Sequence, residues 1–266
     1  MGSTSLSRYS WLKLVGTILL AFQAFAAGEG SEESPRTTLT VAAAADLKFA
    51  LDNLVAEFQA ENPTIKVNVT YGSSGNFFAQ IKNGAPFDLF FSANVGYPQK
   101  LAVSGLGAGE IFLYAAGRIV VWVPKDSLLD VEKLGIKALL DPSIRRIAVA
   151  NPKQAPYGRA AVAAMKTLDV YNQVAGRLVY GEDIAQTAQF VQSGAADIGI
   201  LALSLAVAPQ MRDEGRFWEI PLDAYPLMEQ GGLILKSTKN LETSRLFRDF
   251  VLGDYGREVL NRYGFF

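Results

Sequence analysis

Neither cysteine nor histidine occurs anywhere in the sequence. Without thiols there is no disulfide framework and no thiolate nucleophile or metal ligand. Without imidazole the chain lacks the commonest metal ligand, the usual general base and the ordinary switch of charge near neutral pH. Serine–histidine hydrolysis, histidine–zinc catalysis and cysteine catalysis are excluded by composition, so the expectation is a protein that is not an enzyme and needs no cofactor. Charge is sparse as well: 19% of residues are charged, the formal net charge is −1, and no basic patch with interleaved aromatics suggests nucleic acid. The N-terminal apolar run from Leu14 to Ala26 spans about 13 residues, short of the ~20 that cross a bilayer.

What is present is a hydrophobic half of 266 residues, enough to bury a large core in two lobes. Arg8 and Lys13 precede the apolar run, and Ala24-Phe25-Ala26 offers small residues where a signal peptidase cuts. Residues 1–26 are therefore expected to be a cleaved signal peptide that sends the protein to the periplasm, not embedded in the membrane. The polar residues 27–36 read as a flexible leader. Taking away two basic and no acidic residues leaves 23 against 26, a net charge of −3.

The chain is organised around Val69-Thr-Tyr-Gly72-Ser73-Ser74-Gly75-Asn76, an alternating strand that breaks at a Gly/Ser turn and re-emerges as a helix through Phe77 to Ile81. The first turn of a helix has unpaired N–H donors and a partial positive charge, which suits an anion. Taken alone, a serine there is simply an N-cap. Three more such junctions occur. Leu39-Thr-Val-Ala-Ala-Ala-Ala-Asp46 opens a helix from Leu47 to Gln59, with Leu47, Leu51, Leu54, Val55 and Phe58 on one face. Asn151-Pro-Lys-Gln-Ala-Pro156-Tyr157-Gly158 opens a helix from Arg159 to Leu168. Gly181-Glu182-Asp183-Ile184 leads into a helix from Ala185 to Ser193.

Strands alternating with helices imply the α/β class, with parallel twisted sheets and right-handed crossovers. In such sheets neighbouring strand-to-helix turns converge on one crevice. Each half of the chain supplies two junctions, which suggests two similar lobes facing one another across a cleft. Leu113 to Val123 reads as one long strand through both lobes, and Lys133 to Leu140 as a helix. Gly231 to Lys236 reads as a strand returning to the first lobe. The lobes are expected at 37–117 with 229–266, and at 118–228.

With the junctions placed, the sequence resembles the periplasmic molybdate-binding proteins that serve ABC importers. The resemblance runs from about Leu39 to Phe266. It rests on Val41-Ala-Ala-Ala-Ala-Asp-Leu47, Gly72-Ser-Ser-Gly-Asn76, Asn83-Gly-Ala-Pro86 with Asp88-Leu-Phe-Phe-Ser-Ala93, Ala155-Pro-Tyr-Gly158, Gly181-Glu-Asp-Ile184, Gly194-Ala-Ala-Asp197-Ile-Gly199 and Arg262-Tyr-Gly-Phe265. It implies a two-lobed type II periplasmic binding fold whose mostly parallel sheets, flanked by helices, close around a tetrahedral oxyanion, molybdate or tungstate. It also implies an importer permease as partner and a monomeric state. Carried over, the ligand-binding positions are Ala45 and Asp46, Ser74, Tyr157 and Ile184, with no direct metal-cation ligand. A tyrosine hydroxyl that some members add is replaced here by Ala202.

Asp46 departs from the family's hydroxyl residue, because an ionised carboxylate has no hydrogen to donate and repels a dianion. Three readings of it stand open. It caps the helix at Lys48 or Phe49 and leaves only main-chain N–H groups to the ligand; it accepts a hydrogen bond from a protonated oxyanion such as phosphate; or it serves another ligand, a cation or organic acid. The alternative function on the same fold is therefore capture of phosphate, sulfate or an organic acid with Asp46 as acceptor. Arg118, Lys153 and Arg159 read as solvated basic residues near the cleft, Asp183 as an N-cap, and neither Glu182 with Asp183 nor Asp88 with Asp52 as an acid/base pair.

Overall fold

The computed structural model describes residues 37–266; the expected signal peptide over 1–26 and leader over 27–36 lie outside the described residues. The first sheet has the order β2-β1-β3-β10-β4, built from β1 (Thr37–Ala44), β2 (Ile65–Gly72), β3 (Leu89–Ser92), β4 (Phe112–Gly117) and β10 (Met228–Ile234). Its crossovers are α1 (Lys48–Glu61), α2 (Ser74–Lys82) and α3 (Gly96–Val103). The second sheet has the order β7-β6-β8-β5-β9, from β5 (Ile119–Pro124), β6 (Ile147–Ala150), β7 (Leu178–Gly181), β8 (Ile198–Ala202) and β9 (Gly215–Glu219). Helices α4 (Val131–Leu134), α5 (Pro156–Thr167), α6 (Tyr171–Val174), α7 (Ile184–Gln192) and α8 (Leu203–Ala206) flank it, and α9 (Leu241–Leu252) and α10 (Asp254–Arg262) close the chain.

The two sheets repeat one plan. β1 pairs in parallel with β2 and β3, and β10 runs antiparallel to β3 and β4. Likewise β6 pairs in parallel with β7 and β8, and β5 runs antiparallel to β8 and β9. In each sheet, then, one strand opposes the other four, and the carboxyl ends of the central parallel strands lead into the helices that matter below.

Period-two alternation on β1 sends its side chains to two different cores. Leu39, Val41 and Ala43 pack under α1 and α9, whereas Ala42 packs under α2 with Phe77, Ile81 and Phe90. On α1, Leu47 from the preceding turn and Leu51, Leu54 and Phe58 are buried, while Val55 is only partly so. Phe58 meets the edges of Phe247 and Phe250 at centroid distances of 5.0 and 5.4 Å.

Two expected elements are divided. Leu113 to Val123 is not one strand: β4 belongs to the first sheet and β5 to the second, with Arg118 alone between them. The chain passes between lobes there because the two sheets claim its two halves. The expected helix at Lys133–Leu140 is the short α4 followed by a 3₁₀ turn from Gly135 to Leu140. Gly135 has φ +56, a left-handed conformation that ends a helix readily.

Candidate functional site

All four junctions open onto one cavity. β1 ends at Ala44 and passes through a 3₁₀ turn, Ala45–Leu47, into α1; β2 ends at Gly72 and α2 begins at Ser74. From the other sheet, the turn after β6 starts α5 at Pro156, and β7 ends at Gly181 ahead of Ile184 on α7. Ala45, Asp46, Ser74, Tyr157 and Ile184 all line the cavity, with Ala44, Gly72, Ser73, Ala93, Ala155, Pro156 and Asp183. It is small: about 10 Å³ is open to the centre of a water-sized guest, close to the roughly 10–15 Å³ that one water needs. The guest is small, and no lysine or arginine is among the lining residues.

The capping side chains are distinct from the residues left facing the cavity. Ser73 is the N-cap of α2 and accepts from the Asn76 amide at 3.3 Å; Asp183 caps α7 by accepting from the Gln186 amide at 2.9 Å. Ser74 Oγ accepts from the Ala93 amide at 3.0 Å, so its own proton remains free to donate. A helix gives its first-turn amides no internal acceptor, and Ser74, Tyr157 and Ile184 hold such positions. Sequence periodicity starts α5 at Arg159, three residues late. Pro156, which has no N–H to satisfy and a ready-made helical φ, begins it instead, which makes Tyr157 N–H a first-turn donor.

Asp46 does not cap a helix. It lies inside the 3₁₀ turn, and neither that turn nor α1 has a side-chain cap hydrogen bond. Its Oδ2 accepts from Tyr157 Oη at 2.8 Å and from Gln230 Nε2 at 2.7 Å, while Gln230 Nε2 and Tyr157 Oη are 3.1 Å apart. Its main-chain carbonyl accepts from Ser204 Oγ at 2.8 Å. Oδ1 is buried with no hydrogen-bond partner. Burial pushes the carboxyl up to about 6, against the opposing pull of Gln230, Tyr157 and the amides of Asp46 and Leu47. Those amides favour the charge, although none of them meets Oδ1 within hydrogen-bond geometry. Burial first, and then the Asp46 charge, raise the Tyr157 and Tyr114 hydroxyls well above their ordinary range.

The two lobes touch through further polar contacts around the cavity. The Gly75 amide donates to Gln154 O at 3.0 Å, Ser73 Oγ to the same carbonyl at 3.3 Å, and Asn76 Nδ2 to Glu182 Oε1 at 2.8 Å. A Cβ on Gly75 would stand 2.5 Å from Gln154 O, and one on Gly117 would stand 2.4 Å from Tyr157 Oη and 2.7 Å from Gln230 Nε2. Both glycines are therefore required by close approach between lobes. Gln230, Ser204, Gln154 and Gly117 escape the sequence reading. The one available signal is Gln230 itself, a polar residue just before the apolar run that starts at Gly231.

The basic residues near the cleft are engaged elsewhere or exposed to solvent. Arg118 pairs with Glu219 at 3.2 Å and lies over the Phe266 ring; Arg159 reaches Tyr97 Oη at 3.3 Å; Lys153 is exposed. Asp88 accepts from Thr40 and Thr238, and Asp52 from Lys48 and Tyr71, so these two carboxylates serve separate structural networks.

Comparison with known proteins places the chain in a family. Residues 39–266 match the profile of a family described as bacterial extracellular solute-binding protein. A curated relative, the molybdate-binding protein ModA of Azotobacter vinelandii, is 34% identical over 226 residues, covering 85% of this chain and 88% of its own. ModA of Rhodobacter capsulatus is 32% identical over 200 residues, 75% of this chain and 77% of its own. Among solved structures, the periplasmic molybdate-binding protein of A. vinelandii superposes with a TM-score of 0.80 at 31% identity, covering 86% of this chain and 98% of that one.

Proposed function

The chain belongs to the bacterial extracellular solute-binding proteins, and within them to the molybdate-binding family; from that premise we propose that it captures molybdate or tungstate in the periplasm and hands the anion to the permease of an ABC importer. It is a transport protein and not an enzyme. The observation that carries the proposal is the convergence of four helix starts from two sheets on one small cavity lined by no cationic side chain. Each helix start concentrates partial positive charge and free N–H groups. The anion is held by the amides of Ala45 or Asp46, Tyr157 and Ile184 and by the Ser74 hydroxyl. Molybdenum or tungsten is the cargo, bound through its oxygens, so these residues are hydrogen-bond donors rather than metal ligands.

Donors fixed by the fold stabilise charge without reorganising as the guest arrives, and closing the lobes removes water that would weaken them. Size is the remaining filter, because the larger oxyanions differ from sulfate chiefly in radius. Calorimetric titration with molybdate, tungstate, sulfate and phosphate tests the assignment. Tight binding of molybdate or tungstate with no heat from phosphate is expected; preference for phosphate would overturn it.

A further inference from the structure

Asp46 is a poor neighbour for a dianion, yet the fold builds it into the cavity wall with 1% of its surface exposed. Its two oxygens are unequal. Oδ2 is filled by two donors, the Tyr157 hydroxyl and the Gln230 amide, whereas Oδ1 has no partner. Among the described residues, no positive charge offsets the carboxylate. Lys48, on the helix that follows, is held by Asp52 at 3.1 Å and lies over the Tyr71 ring; on β2, Lys66 is an exposed residue. Ahead of α7, Asp183 and Glu182 bring further negative charge, and Asp183 is spent on its helix cap. On α5, Arg159 turns to Tyr97, and α8 carries no ionisable side chain. The remaining titratable neighbours are the buried hydroxyls of Tyr114 and Tyr157, which stay neutral.

Resting on the oxyanion-capture reading above, we infer that Asp46 engages the anion as a neutral carboxylic acid: each bound dianion brings one proton from solvent onto Oδ1, where it becomes a hydrogen-bond donor to the ligand. Oδ2 is closed to that proton because both its partners are donors. Only the carboxyl changes state, from acceptor on both oxygens to acceptor at Oδ2 and donor at Oδ1. A residue that would repel the cargo is thereby converted into a ligand for it. Burial already holds the empty site's carboxyl near pH 6, and a dianion beside it moves the protonation further up. Affinity is then level below about pH 6 and falls with rising pH above it, about tenfold per unit for one linked proton.

The experiment titrates the full chain with sodium molybdate at pH 7.5 in two buffers of different ionisation enthalpy, and repeats the titration from pH 5.5 to 8.5. Expected is an apparent enthalpy that differs between buffers by close to one proton taken up per anion, with the stated decline in affinity. Asp46→Asn keeps a carbonyl for Tyr157 and Gln230 and puts an N–H at the Oδ1 position, so its binding heat is expected to lose the buffer dependence. Equal heats in both buffers for the parent would overturn the inference while leaving molybdate capture intact. Proton uptake that persists unchanged in Asp46→Asn would assign the proton to another group and overturn it too. If that variant does not fold, the two-buffer measurement on the parent decides alone. Absence of binding to any of the four oxyanions would instead overturn the functional reading, and this inference with it.

Discussion

At the scale of single residues, the site is a division of labour between side chains that look interchangeable in sequence. Ser73 caps a helix, while its neighbour Ser74 is anchored by the Ala93 amide and keeps a proton to give. Hydrogen bonds to charged groups contribute about 1.5–3 kcal/mol. Ser74→Ala is therefore expected to weaken molybdate binding by about 10- to 150-fold and, because the buried Ala93 amide loses its acceptor, to lower stability by about 1–3 kcal/mol, as read by calorimetry and by unfolding. Asp46 makes a different prediction, independent of ligand. Its folded value of about 6 lies above the 3.8 of the unfolded chain, so between those values the folded protein binds the extra proton. Stability from this group is then full below pH 3.8 and lost as pH rises towards 6, by about 3 kcal/mol at 1.36 kcal/mol per unit. Denaturant titrations of the parent and Asp46→Asn should show the parent losing most of that, about 2 kcal/mol, relative to the variant between pH 4 and 7; parallel curves would contradict it.

At the scale of elements, the junctions combine a cap, a free first turn and a glycine that permits approach. Gly75 is the clearest case, since its backbone reaches Gln154 of the opposite lobe where a methyl group would collide at 2.5 Å. Gly75→Ala is expected to fold normally, because the helix gains a better former, yet to bind molybdate at least tenfold more weakly by holding the cleft ajar. Unchanged affinity would show that this contact is not part of closure. Packing of α1 makes the contrasting prediction. Phe58 is fully buried against Phe247 and Phe250 from α9, so Phe58→Ala should cost about 3–5 kcal/mol of stability. Far from the cavity, it should leave the affinity of the folded fraction near that of the parent.

At the scale of the whole molecule, two sheets of the same plan are joined where the chain crosses at Arg118 and again between β9 and β10. The buried triad of Asp46, Tyr157 and Gln230 spans that crossing, with Asp46 from the first lobe, Tyr157 from the second and Gln230 on β10. A ligand that binds only the folded, assembled cavity stabilises the molecule by mass action, about 2.7 kcal/mol at a hundredfold excess over Kd. At roughly 2–4 °C per kcal/mol, molybdate at that excess should raise Tm by about 5–10 °C. Sulfate at the same concentration should raise it less.

The sequence by itself determined a good deal. Strand-to-helix junctions are local patterns of alternation, glycine and capping residues, and all four occur in the segments those patterns mark, though α5 begins three residues earlier than expected, with Ala45, Asp46, Ser74, Tyr157 and Ile184 brought to one cavity. Composition alone removed histidine and cysteine chemistry. Only tertiary structure decided what Asp46 does. Locally it sits where an N-cap belongs, but its carboxylate is claimed by Tyr157, 111 residues away, and Gln230, 184 away. Tertiary structure also divided the run from Leu113 to Val123 between two sheets and made Gly75 and Gly117 points of contact between lobes. The physical reason is range: capping and periodicity act within a few residues, whereas the partner of a buried polar group is set by which distant segments share its interior.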